Sequence, residues 1–359
     1  MIKFMKVFII STLLLPLSLI GAIHSGTISK IHGQVEILTL GSTGQQVKYN
    51  GNYYSLIKAK LGDKVKAGQL VRTGIRSLAK IIFDNGDQFI ISPGSEYMLT
   101  LPKSKNITSS LINLTRGKLR AIISKHGPRN KMKVKTRNAA MGVRGTDFYI
   151  NAKGFDRSEV SVIRGKVTLK VDTKTPKKVI NIDTLTNKKV VEKKVAKEII
   201  LETGYSANLV SSVNLVNILQ KDKTKIKAIA KKEIKEVIIE VKRTSKQKLV
   251  SIQKASKIEP TKLERESEIV QPKVTAAVAK KVARLEKKAI AVALKDIETY
   301  TPNLYKKIIA RTVKSTDQLN TEVVAAAHKE APKAIKPDID DLDNEELSED
   351  VYQEYFNQH

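Results

Sequence analysis

Between Glu96 and Asp147 the chain has no acidic residue and twelve Lys or Arg. Arg116, Lys118, Arg120, Lys131, Lys133, Lys135 and Arg137 lie in this stretch, and Lys131, Lys133 and Lys135 alternate. Alternate residues of a strand share one face, so these side chains are candidates for a cationic, anion-binding face. A face of one sign raises the local concentration of anions, and ammonium and guanidinium groups pair well with phosphate and carboxylate. Lysines on a strand also solvate the sheet and protect its edges. Anion binding and plain solvation both fit the pattern.

Other chemistry has little to work with. The chain has no cysteine, which excludes disulfides, thiolate nucleophiles and Cys-ligated metals. His24, His32, His126, His328 and His359 are isolated from one another. There is no G-x-x-x-x-G-K-[ST] loop, no G-x-S-x-G elbow and no H-E-x-x-H pair. Asp63, Asp84, Asp87 and Asp147 fall at turn or motif positions. The acidic run at Asp338–Glu346 fails as a calcium loop. Counting from Asp341, Glu346 stands where a glycine is required and Tyr352 where the closing glutamate belongs. The expectation is a protein without catalysis, cofactor or metal.

The elements that would position the basic residues are strands. Leu78–Phe83 and Gln88–Ile91 flank Asp84-Asn85-Gly86-Asp87, a strong hairpin pattern because Asn-Gly suits the positive φ values of a type I′ turn. Many short apolar runs punctuated by glycine predict a mainly β N-terminal domain, a sandwich or a β-roll, with a Val/Ile/Leu core. Gly41–Tyr54 reads as an irregular polar insertion, with Tyr53 and Tyr54 either an exposed contact patch or core-facing or half-buried. Thr136–Phe148 reads as strand, tight turn and strand, since Gly142 and Gly145 bracket Val143-Arg144. Thr173–Lys197 is a Lys-rich excursion.

From about Val213 the spacing changes. Ile226, Ile229, Ile234, Val237, Ile238 and Val241 recur at roughly helical intervals. Pro272 opens a second run through Ile297, and Thr301-Pro302 reads as an N-cap with proline at the first helical position. Such helices could dock on the β domain, lie on an anionic membrane surface, or pair as a coiled coil; mutual pairing is the ordinary expectation. At the N-terminus, Lys3 and Lys6 precede an apolar run, Val7–Ile20, that is interrupted by Pro16 and short for a membrane span. The expected organisation is a signal peptide at 1–25, a β domain at 26–212, a helical Lys/Ala-rich extension at 213–335 and an acidic disordered tail at 336–359.

Several blocks in series resemble the FecR-domain family. They are Gly33–Ile37, Gly62–Val65, Val71–Gly74 with Ser77, Ile81–Asp87, Arg116–Arg120, Thr136–Phe148, Val160–Val167 and Gly204–Leu209. Thr136–Phe148 is similar to the family hallmark, and Gly142, Arg144, Gly145 and Thr146 match it as fold-defining residues. The resemblance implies an extracytoplasmic β module that contacts a protein partner. Well-known members relay signals to a sigma factor, but only six residues precede the apolar run here, so that role is not expected. The expected function is a non-catalytic periplasmic or secreted scaffold for an envelope protein. The alternative is a binder of anionic envelope polymer, with nucleic acid less favoured because the basic strands lack stacking aromatics.

Overall fold

The computed structural model describes residues 25–330, leaving aside 42–45, 50, 101–109, 126–131, 138, 155, 171–176, 183–188, 193–197, 222–225, 258–273 and 312. Three long strands organise it: β10 (Ser110–Ile122), β12 (Ala140–Ala152) and β13 (Arg157–Lys170). Each belongs to two layers.

The first layer runs β5 (Lys64–Lys66), β1 (Ser25–His32), β7 (Leu78–Phe83), β8 (Gln88–Ile91), then the later halves of β10 and β12 and the earlier half of β13. It continues through β17 (Tyr205–Lys221), β18 (Ile226–Arg243), β14 (Lys177–Ile182) and β15 (Lys189–Glu192). The second layer runs β3 (Gln46–Tyr49), β4 (Asn52–Lys58), β2 (Val35–Leu40), β6 (Leu70–Thr73), β9 (Glu96–Thr100) and the earlier half of β10. Then come β11 (Met132–Lys135), the earlier half of β12, the later half of β13 and β16 (Glu198–Glu202). Pairing is antiparallel except for β10–β11 and β14–β18.

The long strands change layer at glycines. Gly145 has φ 58° and Gly165 has φ 89°, a region that L side chains disfavour. The β12–β13 register shifts here, from Arg144 opposite Lys166 to Asp147 opposite Arg164. The expected tight turn at Val143-Arg144 is therefore a bulge inside one continuous strand. The bulge lets a strand turn the corner between packed sheets. Between the layers lies one apolar cluster. Ile37, Val71, Leu114, Val134, Val143 and Val167 come from the second layer, and Ile81, Leu119, Phe148, Val162 and Leu209 from the first. Phe83, Phe89 and Tyr97 stack edge-to-face within it.

Among the described residues four helices follow: α1 (Lys246–Ser256), α2 (Ala276–Tyr300), α3 (Pro302–Ile309) and α4 (Thr316–Glu330). Thr275 caps α2 by accepting from the Val278 N–H, and Pro302 opens α3 as the sequence predicts. Their apolar faces cover the outer side of the first layer. Leu249, Ile252, Ala293, Ile297, Ile308, Leu319 and Val323 pack with Tyr149 and Ile163, while Leu285 and Ala289 meet Ile82. The helices dock on the sheet as well as on one another.

The mainly β domain followed by helices is as expected, but the change comes later in the chain. Ile226–Val241, expected as a helix, is strand β18, paired along its length with β17. Val237, Ile239 and Val241 alternate, and Ile239 and Val241 are buried in the sandwich core. β-branched residues in such alternation suit a pleated surface better than a helix. The Thr173–Lys197 excursion likewise contains β14 and β15. The expected signal peptide, but for Ser25, and the acidic tail lie outside the described residues.

Candidate functional site

The basic residues do not share one face. Arg116 stands on the outer side of the second layer and pairs with Glu96 at 2.9 Å. It ends a cross-strand ladder of alternating charge, Lys58–Glu36–Arg72–Glu96–Arg116, set by register across β4, β2, β6, β9 and β10. Such opposed pairs stabilise a sheet modestly. After the bend at Gly117 the strand presents Lys118 and Arg120 to the opposite side, towards the helices. Arg120 is 1% exposed. It donates to both carboxylate oxygens of Asp147 at 2.9 and 2.7 Å and to the Asn320 carbonyl at 3.1 Å. This is a correction to its expected anion-binding role, because its guanidinium is committed inside the protein. Lys131 lies outside the described residues, and Arg137 is exposed between β11 and β12.

Lys133 and Lys135 do alternate outward from β11, while Met132 and Val134 point into the core. Strand register adds cations that the sequence reading did not group with them. Lys133 lies opposite Gly142, which lies opposite Thr168; Lys135 lies opposite Ala140, which lies opposite Lys170; Arg144 lies opposite Lys166. Burial, followed by the charge of Lys170, pulls the Lys133 ammonium below its usual pKa. Glu202 meets Lys166 at 3.1 Å and Glu198 meets Lys170, both from the adjoining β16.

The hallmark residues divide in two. Gly145 makes the corner, and Thr146 Oγ1 ties it down, 2.7 Å from the Lys166 carbonyl and 3.0 Å from the Arg144 carbonyl. Gly142 has ordinary backbone geometry, and a Cβ there would meet nothing nearer than Thr168 at 3.8 Å. Arg144 is exposed and has no carboxylate partner among the described residues.

A third polar cluster joins the first layer to the helices. Lys80, nearly buried, contacts Glu286 at 3.1 Å, Asp317 at 2.8 Å and the Thr316 hydroxyl; Lys30 reaches Asp317 at 2.8 Å. Asn320 donates to Gln88, and Arg164 faces Asp296. Burial alone would raise the Asp317 pKa, but Lys80 and Lys30 outweigh it and hold the carboxyl at about 2. Its folded pKa is below the unfolded value of 3.8. Its contribution is therefore complete above the unfolded pKa and is lost as pH falls through the folded one. We expect Asp317→Asn to cost about 2 kcal/mol near neutral pH, with wild type and variant converging near pH 2. Denaturant midpoints across pH check this; a gap that stays constant at low pH would refute it.

The β3–β4 hairpin presents a different chemistry at the far edge of the second layer. Tyr54 packs with Leu38 and Leu70, edge-on to Tyr49. Tyr53 and Ile57, on the other face of β4, are 58% and 52% exposed. The tyrosine pair is thus split: Tyr54 packs on the outer face of the layer, whereas Tyr53 and Ile57 lie on the face that carries Ile37 and remain exposed. Among the described residues no group of three or more His, Asp or Glu is placed to hold a metal, and no helix is long and apolar enough to cross a membrane.

No curated protein matches the sequence significantly. Two crystal structures of a candidate anti-sigma factor from Parabacteroides distasonis are similar at 14% identity, with a TM-score of 0.29. The match covers 46% of this chain and 60% of that one. Residues 69–168, from β6 to the end of β13 with the Gly145 corner inside them, match the family model described as FecR protein. The protein contains a FecR domain.

Proposed function

We propose that this is a non-catalytic, extracytoplasmic FecR-domain protein that serves as a binding or signalling scaffold for a protein partner in the cell envelope, and that it is not itself a sigma-factor regulator. The β3–β4 hairpin carries this reading. β4, next to the edge strand β3, keeps Tyr53 and Ile57 exposed on one face and so offers an aromatic and an aliphatic anchor, residue types that carry much of the energy of protein interfaces. The helices are poor candidates for recognition, since their apolar faces are spent on the first layer. The buried carboxylates support the absence of catalysis: Asp147, Asp296 and Asp317 each face a buried or half-buried cation. The apolar run Val7–Ile20 behind Lys3 and Lys6 supports export.

The test is capture of crosslinked partner from envelope extract by the full chain at high salt. We expect one protein to be retained by wild type, and Tyr53→Ser/Ile57→Ser to reduce its capture about tenfold or more without shifting the melting temperature. Undiminished capture by the variant would refute the role of the hairpin.

A further inference from the structure

The outward face of β11, β12 and β13 has features that neither the fold nor the protein-partner reading uses. Its cations are Lys133 and Lys135 on β11, Arg144 on β12, and Lys166 and Lys170 on β13. Gly142, Ala140 and Thr168 lie among them, so the middle of the face is low and its margins are charged. The only carboxylates of the adjoining β16, Glu198 and Glu202, pair with Lys170 and Lys166 at one side. On β11 and β12 the face carries no acid at all. Gly142 is free of any conformational demand: its φ is ordinary, and a side chain would fit above it. A bare position at the centre of a ring of cations is explained if something else lies over it.

We propose that this face is a binding shelf for a phosphate polymer without aromatic bases, laid across Gly142 and held by Lys133, Lys135, Arg144, Lys166 and Lys170. The chemistry of the shelf selects that ligand. Alternate residues of a strand are about 6.8 Å apart and neighbouring strands about 4.8 Å, so the cations form a close grid suited to repeated anionic groups. Lysine recognises phosphate as a point charge and arginine through paired N–H donors. β11, the earlier half of β12 and the later half of β13 contain no aromatic residue, so these segments offer no ring of their own to stack on bases. Burial first, and then the charge of Lys170, lower the Lys133 pKa, and a bound anion would offset the second of these. This inference stands apart from the β3–β4 hairpin and does not rest on it.

The test uses the full chain and inorganic polyphosphate as the probe, with binding followed against salt. A chain of net charge +29 attracts any polyanion, so location is what must be tested. We expect Lys133→Gln/Arg144→Gln/Lys166→Gln to weaken binding by about tenfold or more, and to lower the slope of log affinity against log salt by about 2 to 3. Gly142→Glu alone should reproduce most of the loss, because it sets a carboxylate in the middle of the shelf without a steric demand. The charge-matched variant Lys280→Gln/Lys287→Gln/Lys288→Gln, on the exposed face of α2, should change affinity less than about threefold. Equal losses in the two triple variants would overturn the proposal. So would tighter binding of an oligothymidylate of equal charge, or of anionic lipid vesicles, than of polyphosphate.

Discussion

Gly145→Ala will destabilise the protein by about 3 kcal/mol or more, whereas Gly142→Ala, three residues earlier in the same strand, will stay within about 0.5 kcal/mol. Two costs add at Gly145. Its φ of 58° is penalised for any residue with a Cβ, by roughly 1–2 kcal/mol. That Cβ would also lie 2.5 Å from the Lys125 Cα. A backbone atom cannot rotate away, so the strand must shift, at about 1–3 kcal/mol. Gly165 packs against the same corner, since a Cβ there would itself be 2.9 Å from the Gly145 carbonyl oxygen. At Gly142 neither cost exists. Denaturant midpoints of the two variants decide the matter, and similar midpoints would mean that the corner is more pliable than its geometry implies.

The second large effect is expected at Arg120. Arg120→Met leaves Asp147 inside the protein without its guanidinium, which should cost about 3–5 kcal/mol. The double variant Arg120→Met/Asp147→Leu should recover most of that loss, since a buried ion pair contributes little beyond what well-packed apolar side chains would. The recovery separates two meanings of the pair. If the double variant is as unstable as the single one, the hydrogen bond from Arg120 to the Asn320 carbonyl, and hence the anchoring of α4, carries the energy instead.

What the sequence revealed depended on whether a feature was local. The β7–β8 hairpin was legible because Asn85-Gly86 specifies its own turn. α2 and α3 were legible because Pro272 and Thr301-Pro302 punctuate them. β18 was not, since Ile and Val at irregular intervals of three to five fit a helix, and only pairing with β17 shows that alternation governs. α1 and α4 fall within the expected helical extension at 213–335 but, for want of such punctuation, were not legible as separate helices. At the candidate site, the alternation of Lys133 and Lys135 was visible, but the separation of Arg116 from Arg120 was not. It arises from a bend at Gly117, which sequence presents only as one more glycine. The gathering of Arg144, Lys166 and Lys170 beside Lys133 depends on how β11, β12 and β13 pair, a property of three strands and readable from none alone.

The polar layer beneath the helices has a consequence for how the molecule is made. An exported chain emerges N-terminus first from its channel, so Lys80, Arg120 and Asp147 arrive before α2 and α4, and the outer side of the first layer exists for a time without its cover. An apolar surface left open in that interval would invite association between chains. Here Arg120 and Asp147 satisfy each other within the sheet, and Lys30 and Lys80 remain hydrated cations until Asp317 and Glu286 arrive. Charge on that face thus keeps the unfinished chain soluble first, and fixes where the helices land afterwards.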